Sequence, residues 1–259
     1  MVLGNIDNFK GTGLVAFIDI LGFAKEIEEK WDNPDDNPLQ KLLTLKDKLP
    51  RITNDAFKED DRNSKSKLFP CRVQTISDSI VVSFGFNDPL IHGDVVLATV
   101  AFLYTISDIW TRAIEFGFTV RGAADLGQIF WNEKEIIGPS FLHVYRLEQS
   151  YAKTSRILIS SSLNKTLADY FSKGHTLWDD NVLKMLRKDI DGYIIFNPHS
   201  LYSNQSKKDL IAKFQAMQDK AKGLEKEKYT PLLATLNSDN NIRRDGVDGG
   251  RLEALLPEQ

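Results

Sequence analysis

One cysteine, four histidines and no strong excess of either charge in 259 residues exclude several functional classes at the outset. Cys71 alone cannot close an internal disulfide, and in a strand-like segment it reads as a small hydrophobe rather than a nucleophile. This usage fits a reducing compartment, and the N-terminus lacks the basic-then-apolar pattern of a secretory leader, so a cytoplasmic location is expected. The histidines, at 92, 143, 175 and 199, are too scattered for a His-rich transition-metal site. With 33 Lys and Arg against 36 Asp and Glu, the net charge of -3 argues against binding to nucleic-acid backbone, which needs a concentrated basic surface. The longest apolar stretch, Val95 to Tyr104, is broken at Thr99 and falls short of the roughly 20 residues that cross a bilayer, so no membrane partner is expected.

What is present is 42% hydrophobic residues, enough for one large domain or for a domain with a tail. Leu14 to Ile20 is an apolar run of strand length, followed by a helical pattern over Ala24 to Trp31. Leu39 to Leu49 repeats leucine at helical spacing before Pro50 is expected to stop it. Asp55 to Lys67 is charged and reads as an exposed loop. Cys71 to Ile76 and Ile80 to Phe84 form a hairpin around Ser77-Asp-Ser79. A core helix spans Leu90 to Phe116, ended by Gly117. Strands are expected over Phe118 to Ala124, with Ile129 to Trp131 pairing back after a turn at Asp125-Leu-Gly127, then over Arg156 to Ser160 and Asp191 to Phe196. Two helices are capped by Ser140 and by Ser161 or Ser162. The order predicts an α+β fold, a mixed or antiparallel sheet covered on one face by helices. The division is a lead of 1–12, a domain of 13–198 and a polar, partly helical tail of 199–259. In the tail, Leu210, Ile211, Phe214 and Met217 make a weak stripe that can dock on the domain or on a partner, and 237–250 is polar and Gly-rich.

Two aspartates stand out. Asp19 lies inside an apolar strand and Asp78 at a hairpin turn, and an ionised carboxylate in apolar surroundings costs several kcal/mol unless it is paired or bound to a cation. A helix cap and a turn residue are the ordinary uses of such aspartates taken singly. Together, at one edge of a sheet, they suit Mg²⁺ or Mn²⁺, which favour carboxylate oxygen and keep positions open for phosphate. Two ions shared by such carboxylates activate an attacking hydroxyl and neutralise a leaving pyrophosphate. Gly22 would let a triphosphate approach the backbone at the start of the next helix.

Val15-Ala-Phe-Ile-Asp-Ile-Leu-Gly-Phe23 resembles the first metal-binding strand of class III nucleotidyl cyclases, and Thr75-Ile-Ser-Asp-Ser-Ile80 resembles the hairpin with their second metal aspartate. Val120-Arg-Gly-Ala-Ala-Asp-Leu-Gly127 is similar to their Val-Arg-x-Gly-x-x-x-Gly strand with the first glycine shifted. Ile137-Gly-Pro-Ser-Phe-Leu-His-Val-Tyr-Arg-Leu-Glu148 resembles the helix ending in Ala-x-Arg-Leu-Glu, and Ile157-Leu-Ile-Ser160 the strand after it. The matches run in order from about residue 13 to 197. In detail they are most similar to the pyrimidine cyclases of the bacterial Pycsar antiphage system (PycC).

The resemblance implies a ferredoxin-like cyclase domain that makes cUMP or cCMP from UTP or CTP, with UTP favoured, and a separate effector downstream. It implies two Mg²⁺ or Mn²⁺ ions held by Asp19, Asp78 and the Ile20 carbonyl. It further implies a homodimer with sites at the subunit boundary, in which Arg146 stabilises the transferring phosphate. Gln74 falls where adenylyl cyclases have a base-reading lysine, Glu135 where they have a base-reading aspartate, and Leu142 where they have a ribose-orienting asparagine. The Lys-to-Gln and Asn-to-Leu changes argue against an adenylyl cyclase, since the donors and acceptors that read adenine are altered, but they do not identify the replacement base. Gln74 and Glu135 either face a pyrimidine or are ordinary strand and turn residues. Arg72 and Arg121 meet the triphosphate or form salt bridges, and for Lys188 a surface salt bridge is favoured. His143 reads as a packing or surface residue. A catalytically silent nucleotide-binding relative is the alternative reading, and a palm-type transferase a third.

Overall fold

Leu14, Ala16, Ile18 and Ile20 point to one side of their strand while Val15, Phe17 and Asp19 point to the other, and the layers of the fold follow from that alternation. A computed structural model describes residues 8–55, 69–86, 92–171, 185–189, 191–197, 204–221, 226–227 and 229–238. In chain order the elements are β1 (Phe9–Ile20), α1 (Phe23–Lys30), α2 (Pro38–Asp55), β2 (Cys71–Ile76), β3 (Ser79–Gly85), α3 (His92–Glu115), β4 (Val120–Trp131) and β5 (Ile136–Ile137). There follow α4 (Pro139–Tyr151), β6 (Ile157–Ile159), α5 (Ser161–Phe171), β7 (Leu186–Lys188), β8 (Ile194–Phe196), α6 (Asn204–Lys220) and α7 (Thr230–Ser238). The sheet order is β2-β3-β1-β4-β6-β8-β7, with β5 pairing the end of β4. β1 runs antiparallel to both β3 and β4, which makes the first half a ferredoxin-like β-α-β-β-α-β unit. β6 joins parallel to β4, and β8 and β7 continue antiparallel.

The larger core lies on the side of Leu14 and Ile18, under α1, α2, α3, α5 and the two C-terminal helices. On α3, Phe102 meets Phe84 edge-on at 5.8 Å and Trp110 meets Phe214 of α6 at 5.7 Å. The buried hydroxyls of Thr99 and Thr105 donate to the carbonyls four residues back, so α3 buries them without loss. Val95–Glu115 is long and apolar enough to cross a membrane, yet 72% of its most apolar window is buried inside the domain, which is the composition of a central core helix.

The C-terminal helices are part of this core. Leu210 and Phe214 of α6 and Tyr229, Leu232, Leu233 and Leu236 around α7 are all buried in it. Phe214→Ala is therefore expected to cost about 3–4 kcal/mol, read as a lower urea midpoint, because a fully buried ring leaves a cavity.

Several sequence expectations are corrected. The first strand starts at Phe9, where Phe9 stacks on Trp131 with ring centroids 4.3 Å apart. Position 50 lies inside α2, which continues to Asp55; three buried leucines, Leu42, Leu45 and Leu49, anchor the helix before the proline and outweigh its missing N–H. No turn occurs at 125–127. β4 pairs β1 without interruption over its 12 residues, with Gly13 opposite Gly127, and Asp125 keeps its place in the strand because hydroxyl donors satisfy it. Pro139, not Ser140, opens α4, and Ser160 rather than Ser161 or Ser162 caps α5, its hydroxyl accepting from the Leu163 N–H at 3.0 Å. Helices do not keep to one face: among the described helices, α4 alone lies on the Val15 and Phe17 side. The loop expected over 55–67 and the polar stretch of 237–250 lie, beyond their first residues, outside the described residues.

Candidate functional site

Asp19 occupies the last position at which β1 pairs with β3, opposite Ser79, and on its other side faces Arg121 of β4. Register alone therefore delivers a hydroxyl and a guanidinium to its two oxygens. Ser79 donates to Oδ1 at 3.0 Å, and both Nε and Nη2 of Arg121 donate to Oδ2 at 3.2 Å. Asp78 immediately precedes Ser79 in the two-residue turn Ser77-Asp78, in which Ser77 adopts φ 53.

The electrostatics of this corner are unfavourable to ionisation. Burial raises the Asp19 carboxyl above its ordinary value, the neighbouring Asp78 charge raises it further, and the Ser79 and Arg121 contacts only partly oppose them. Glu148 of α4 is also raised, first by burial, with Arg121 opposing and Asp19 adding.

Glu148 reaches this corner through the helix spacing of α4. Ser140, Val144 and Glu148, at i, i+4 and i+8, form its buried stripe. Ser140 packs so closely over Gly127 that a Cβ there would sit 2.3 Å from its hydroxyl. The Glu148 carboxylate is fully buried, with Oε1 2.8 Å from Arg121 Nε and Oε2 accepting from Gln149 at 2.7 Å.

The donor set fits a hard divalent cation. Asp19, Asp78 and Ser79 offer oxygen only, and Ile20 stands just beyond the β1–β3 ladder, with its carbonyl one residue past the paired Asp19. Among the described residues no three acidic, histidine or cysteine side chains converge, so the chain supplies two carboxylates and leaves the other coordination positions to backbone, water or phosphate.

Arg72, Gln74 and the loop carrying Glu135 form a second group. Gln74 shares its sheet face with Val81 and Phe17, one side-chain row from Asp19, and Arg72 lies two rows away, about 13 Å along the strand. Gln74 donates to the Lys134 carbonyl at 3.0 Å, Arg72 donates to the Glu133 carbonyl, and Arg72 Nε reaches Gln74 Oε1 at 3.5 Å. Asn132 holds that loop by accepting from the Lys134 and Glu135 amides; the Glu135 side chain is exposed. Thus Arg121 joins the aspartates, whereas Arg72 and Gln74 join the loop.

Arg146 points elsewhere. It lies roughly 160° around α4 from Glu148, on the outward side with Leu142, is exposed, and has no ion pair or hydrogen bond among the described residues. Lys188 is exposed beside a cleft of about 460 Å³ between α5 and the β7–β8 edge, far across the sheet from Asp19. Cys71 is buried, and burial pushes its thiol up to about 12, so it stays protonated.

Two groups were not assigned roles from sequence. Glu148 closes the Arg-Leu-Glu segment, and its spacing from Ser140 and Val144 marks it as inward. Asp125 is 3% exposed; its Oδ1 accepts from the Ser160 and Ser162 hydroxyls and its Oδ2 lies 3.1 Å from His143 Nδ1. Here the hydroxyls meet the carboxylate and not the imidazole, so the cluster anchors α4 and α5 to β4 and is no nucleophile–base pair. His143 is half exposed and is held by this polar contact with Asp125 rather than by packing.

No family model and no curated protein matches the chain in sequence. In structure it is similar to the adenylyl cyclase CyaB from Pseudomonas aeruginosa, at 14% identity and a TM-score of 0.47, over 74% of this chain and 95% of that one. It is also similar to a class III adenylyl cyclase-like ATP-binding protein from Pseudomonas aeruginosa, at 15% identity and a TM-score of 0.41, over 68% of this chain and 40% of that one. A bacterial light-regulated adenylyl cyclase is similar at 11% identity and a TM-score of 0.46, over 86% of this chain and 59% of that one.

Proposed function

We propose that the protein is a pyrimidine nucleotide cyclase of the class III type, converting UTP, or CTP, into the cyclic 3′,5′-monophosphate and pyrophosphate as a homodimer. The observation that carries this reading is the division of charge across α4. Glu148 is turned in toward Arg121 and Asp19, while Arg146 is turned away from its own sheet. An outward cation beside half-exposed Leu142 and Tyr145 suits a second copy of the chain, whose Asp19 and Asp78 it would complete. Ile76, half exposed on the Asp19 side of the sheet, adds apolar surface to such a contact.

In this mechanism Asp19, Asp78 and the Ile20 carbonyl would hold two Mg²⁺ or Mn²⁺ ions, which when bound lower the pKa of the ribose 3′-hydroxyl and neutralise triphosphate charge. The residues of the chain supply position. Gly22, at φ 84 with no side-chain cap on α1, leaves first-turn amides for triphosphate oxygens. The 3′-oxygen forms a bond to the α-phosphorus, the bridge bond to the β-phosphate breaks, pyrophosphate leaves and the hydroxyl proton passes to water. Arg146 of the facing copy meets the charge on the transferring phosphate.

The pyrimidine assignment rests on the resemblance to the pyrimidine cyclases; Gln74 and Leu142, standing where adenylyl cyclases have a lysine and an asparagine, argue against ATP without naming the base that replaces adenine. The product would act as a cytoplasmic messenger in antiphage defence through a separate effector. A catalytically silent nucleotide-binding protein is the second reading, favoured by Arg121 already resting on Asp19. Incubation of purified dimer with each ribonucleoside triphosphate and Mn²⁺, followed by mass spectrometry, separates the two. cUMP or cCMP is expected; unreacted nucleotide would sink the enzyme reading, and cAMP or cGMP the pyrimidine assignment.

A further inference from the structure

Arg121 is shared between two carboxylates, and the sharing is unequal. Its N–H groups are aimed at Asp19 Oδ2, whereas Glu148 Oε1, only 2.8 Å from Nε, receives no directed hydrogen bond despite being fully buried. A buried carboxylate oxygen left in that condition is costly, and a small rotation of the guanidinium would satisfy it. The rotation would also take the guanidinium off Asp19.

We propose that Arg121 and Glu148 form a positioning pair for the cation site: Arg121 holds Asp19 while the site is empty, and Glu148 receives Arg121 when a divalent cation takes Asp19. This rests on the metal-centre reading above. The pair solves an electrostatic problem specific to this corner. Asp19 is 16% exposed at its side chain and lies near Asp78, so without a cation it needs a counter-charge; with one, a guanidinium on the same oxygen would repel it. Only an acceptor already within reach lets the guanidinium leave without becoming an unpaired buried charge. Glu148 is that acceptor, and Gln149 fixes its other oxygen. An arginine suits the exchange because its planar fork presents several N–H donors and can turn from one acceptor to the other without the side chain being withdrawn from the corner.

The test is Mn²⁺ binding to the apo dimer, followed by electron paramagnetic resonance of the free ion, which needs no nucleotide turnover. Glu148→Gln is expected to weaken Mn²⁺ about tenfold, the size typical of residues that orient metal ligands. In an Arg121→Met background the same substitution is expected to change affinity less than twofold, because the charge to be handed over is gone. In the unsubstituted protein, diamagnetic Mg²⁺ is expected to move the Arg121 Nε–Hε resonance, a readout that does not depend on any variant folding. Equal Mn²⁺ affinity in Glu148→Gln, an undiminished effect without Arg121, or an Nε–Hε signal that stays fixed as Mg²⁺ saturates would overturn the pair while leaving the metal centre standing. Mn²⁺ binding indifferent to Asp19→Asn would overturn the metal centre and the pair together.

Discussion

Asp19→Asn is expected to slow cyclisation about 10³-fold and, at the same time, to raise the melting temperature of the metal-free protein at neutral pH by about 2–4 °C. The activity loss follows from losing one of two carboxylates that would hold the ions, whose charge stabilisation is worth several kcal/mol, or about three decades in rate. The gain in stability follows from the direction of the Asp19 shift. Its folded pKa is raised above the ordinary 3.8, by burial first and by Asp78 second, so the folded state favours the protonated acid. For a raised carboxyl the contribution to stability is complete below the ordinary value and is lost as pH rises through the folded value, so the ionised site is a liability at neutral pH. Asparagine has the same shape, can still accept from Ser79 or Arg121, and carries no charge to desolvate. Thermal melts in chelator across the carboxylate range check this: the unsubstituted protein should lose stability with rising pH over that window, and the variant should lose less. A variant that melts lower than its parent at neutral pH would mean that the Arg121 contact outweighs burial.

Asp125 stands out in the sequence on the same physical grounds as Asp19, but a second pattern masks it. Both are carboxylates inside apolar strands. Asp125 precedes Leu126-Gly127, however, and an Asp with a glycine two residues on looks like a turn when only local preference is read. What keeps β4 straight is non-local: β1 offers a partner along its whole length, Gly127 admits Ser140 of α4, and the hydroxyls of Ser160 and Ser162 satisfy the carboxylate from the start of α5. Pro50 is a similar case, a local stop overridden by buried leucines before it. The succession of hairpin, core helix and strands was legible because each carries its own periodicity, whereas its ferredoxin-like arrangement was implied by the resemblance of the motifs. The face taken by α4 was not, because two of its three inward residues are polar and a hydrophobicity reading discounts Ser140 and Glu148. The docking of the C-terminal helices was half legible: the stripe of Leu210, Phe214 and Met217 is readable, but its partner Trp110 lies some hundred residues earlier.

Mixing Asp19→Asn subunits with Arg146→Ala subunits is expected to restore about a quarter of the unsubstituted activity, although each variant alone is nearly inactive. The expectation follows from α4. A helix that turns Glu148 into its own sheet must turn Arg146 out, and no rotamer brings an outward side chain through the helix to Asp19 of the same subunit. If Arg146 serves the facing subunit, an Asp19→Asn homodimer has two sites without a full carboxylate pair, and an Arg146→Ala homodimer has two sites without the cation. Arg146→Ala alone should lower turnover about 10³-fold, the lower end of what an arginine on a transferring phosphoryl group contributes. In a mixed dimer one site collects both lesions and the other collects neither. Random reassortment makes about half of the dimers mixed, each with one intact site of two, which sets the quarter. Activity measured against mixing ratio should peak at equal amounts and vanish at both ends. No recovery, with subunit exchange verified by differently tagged chains, would mean that Arg146 acts within its own subunit and that α4 moves to bring it there; an Arg146→Ala homodimer that keeps its full turnover would mean that Arg146 does not contact the phosphate at all.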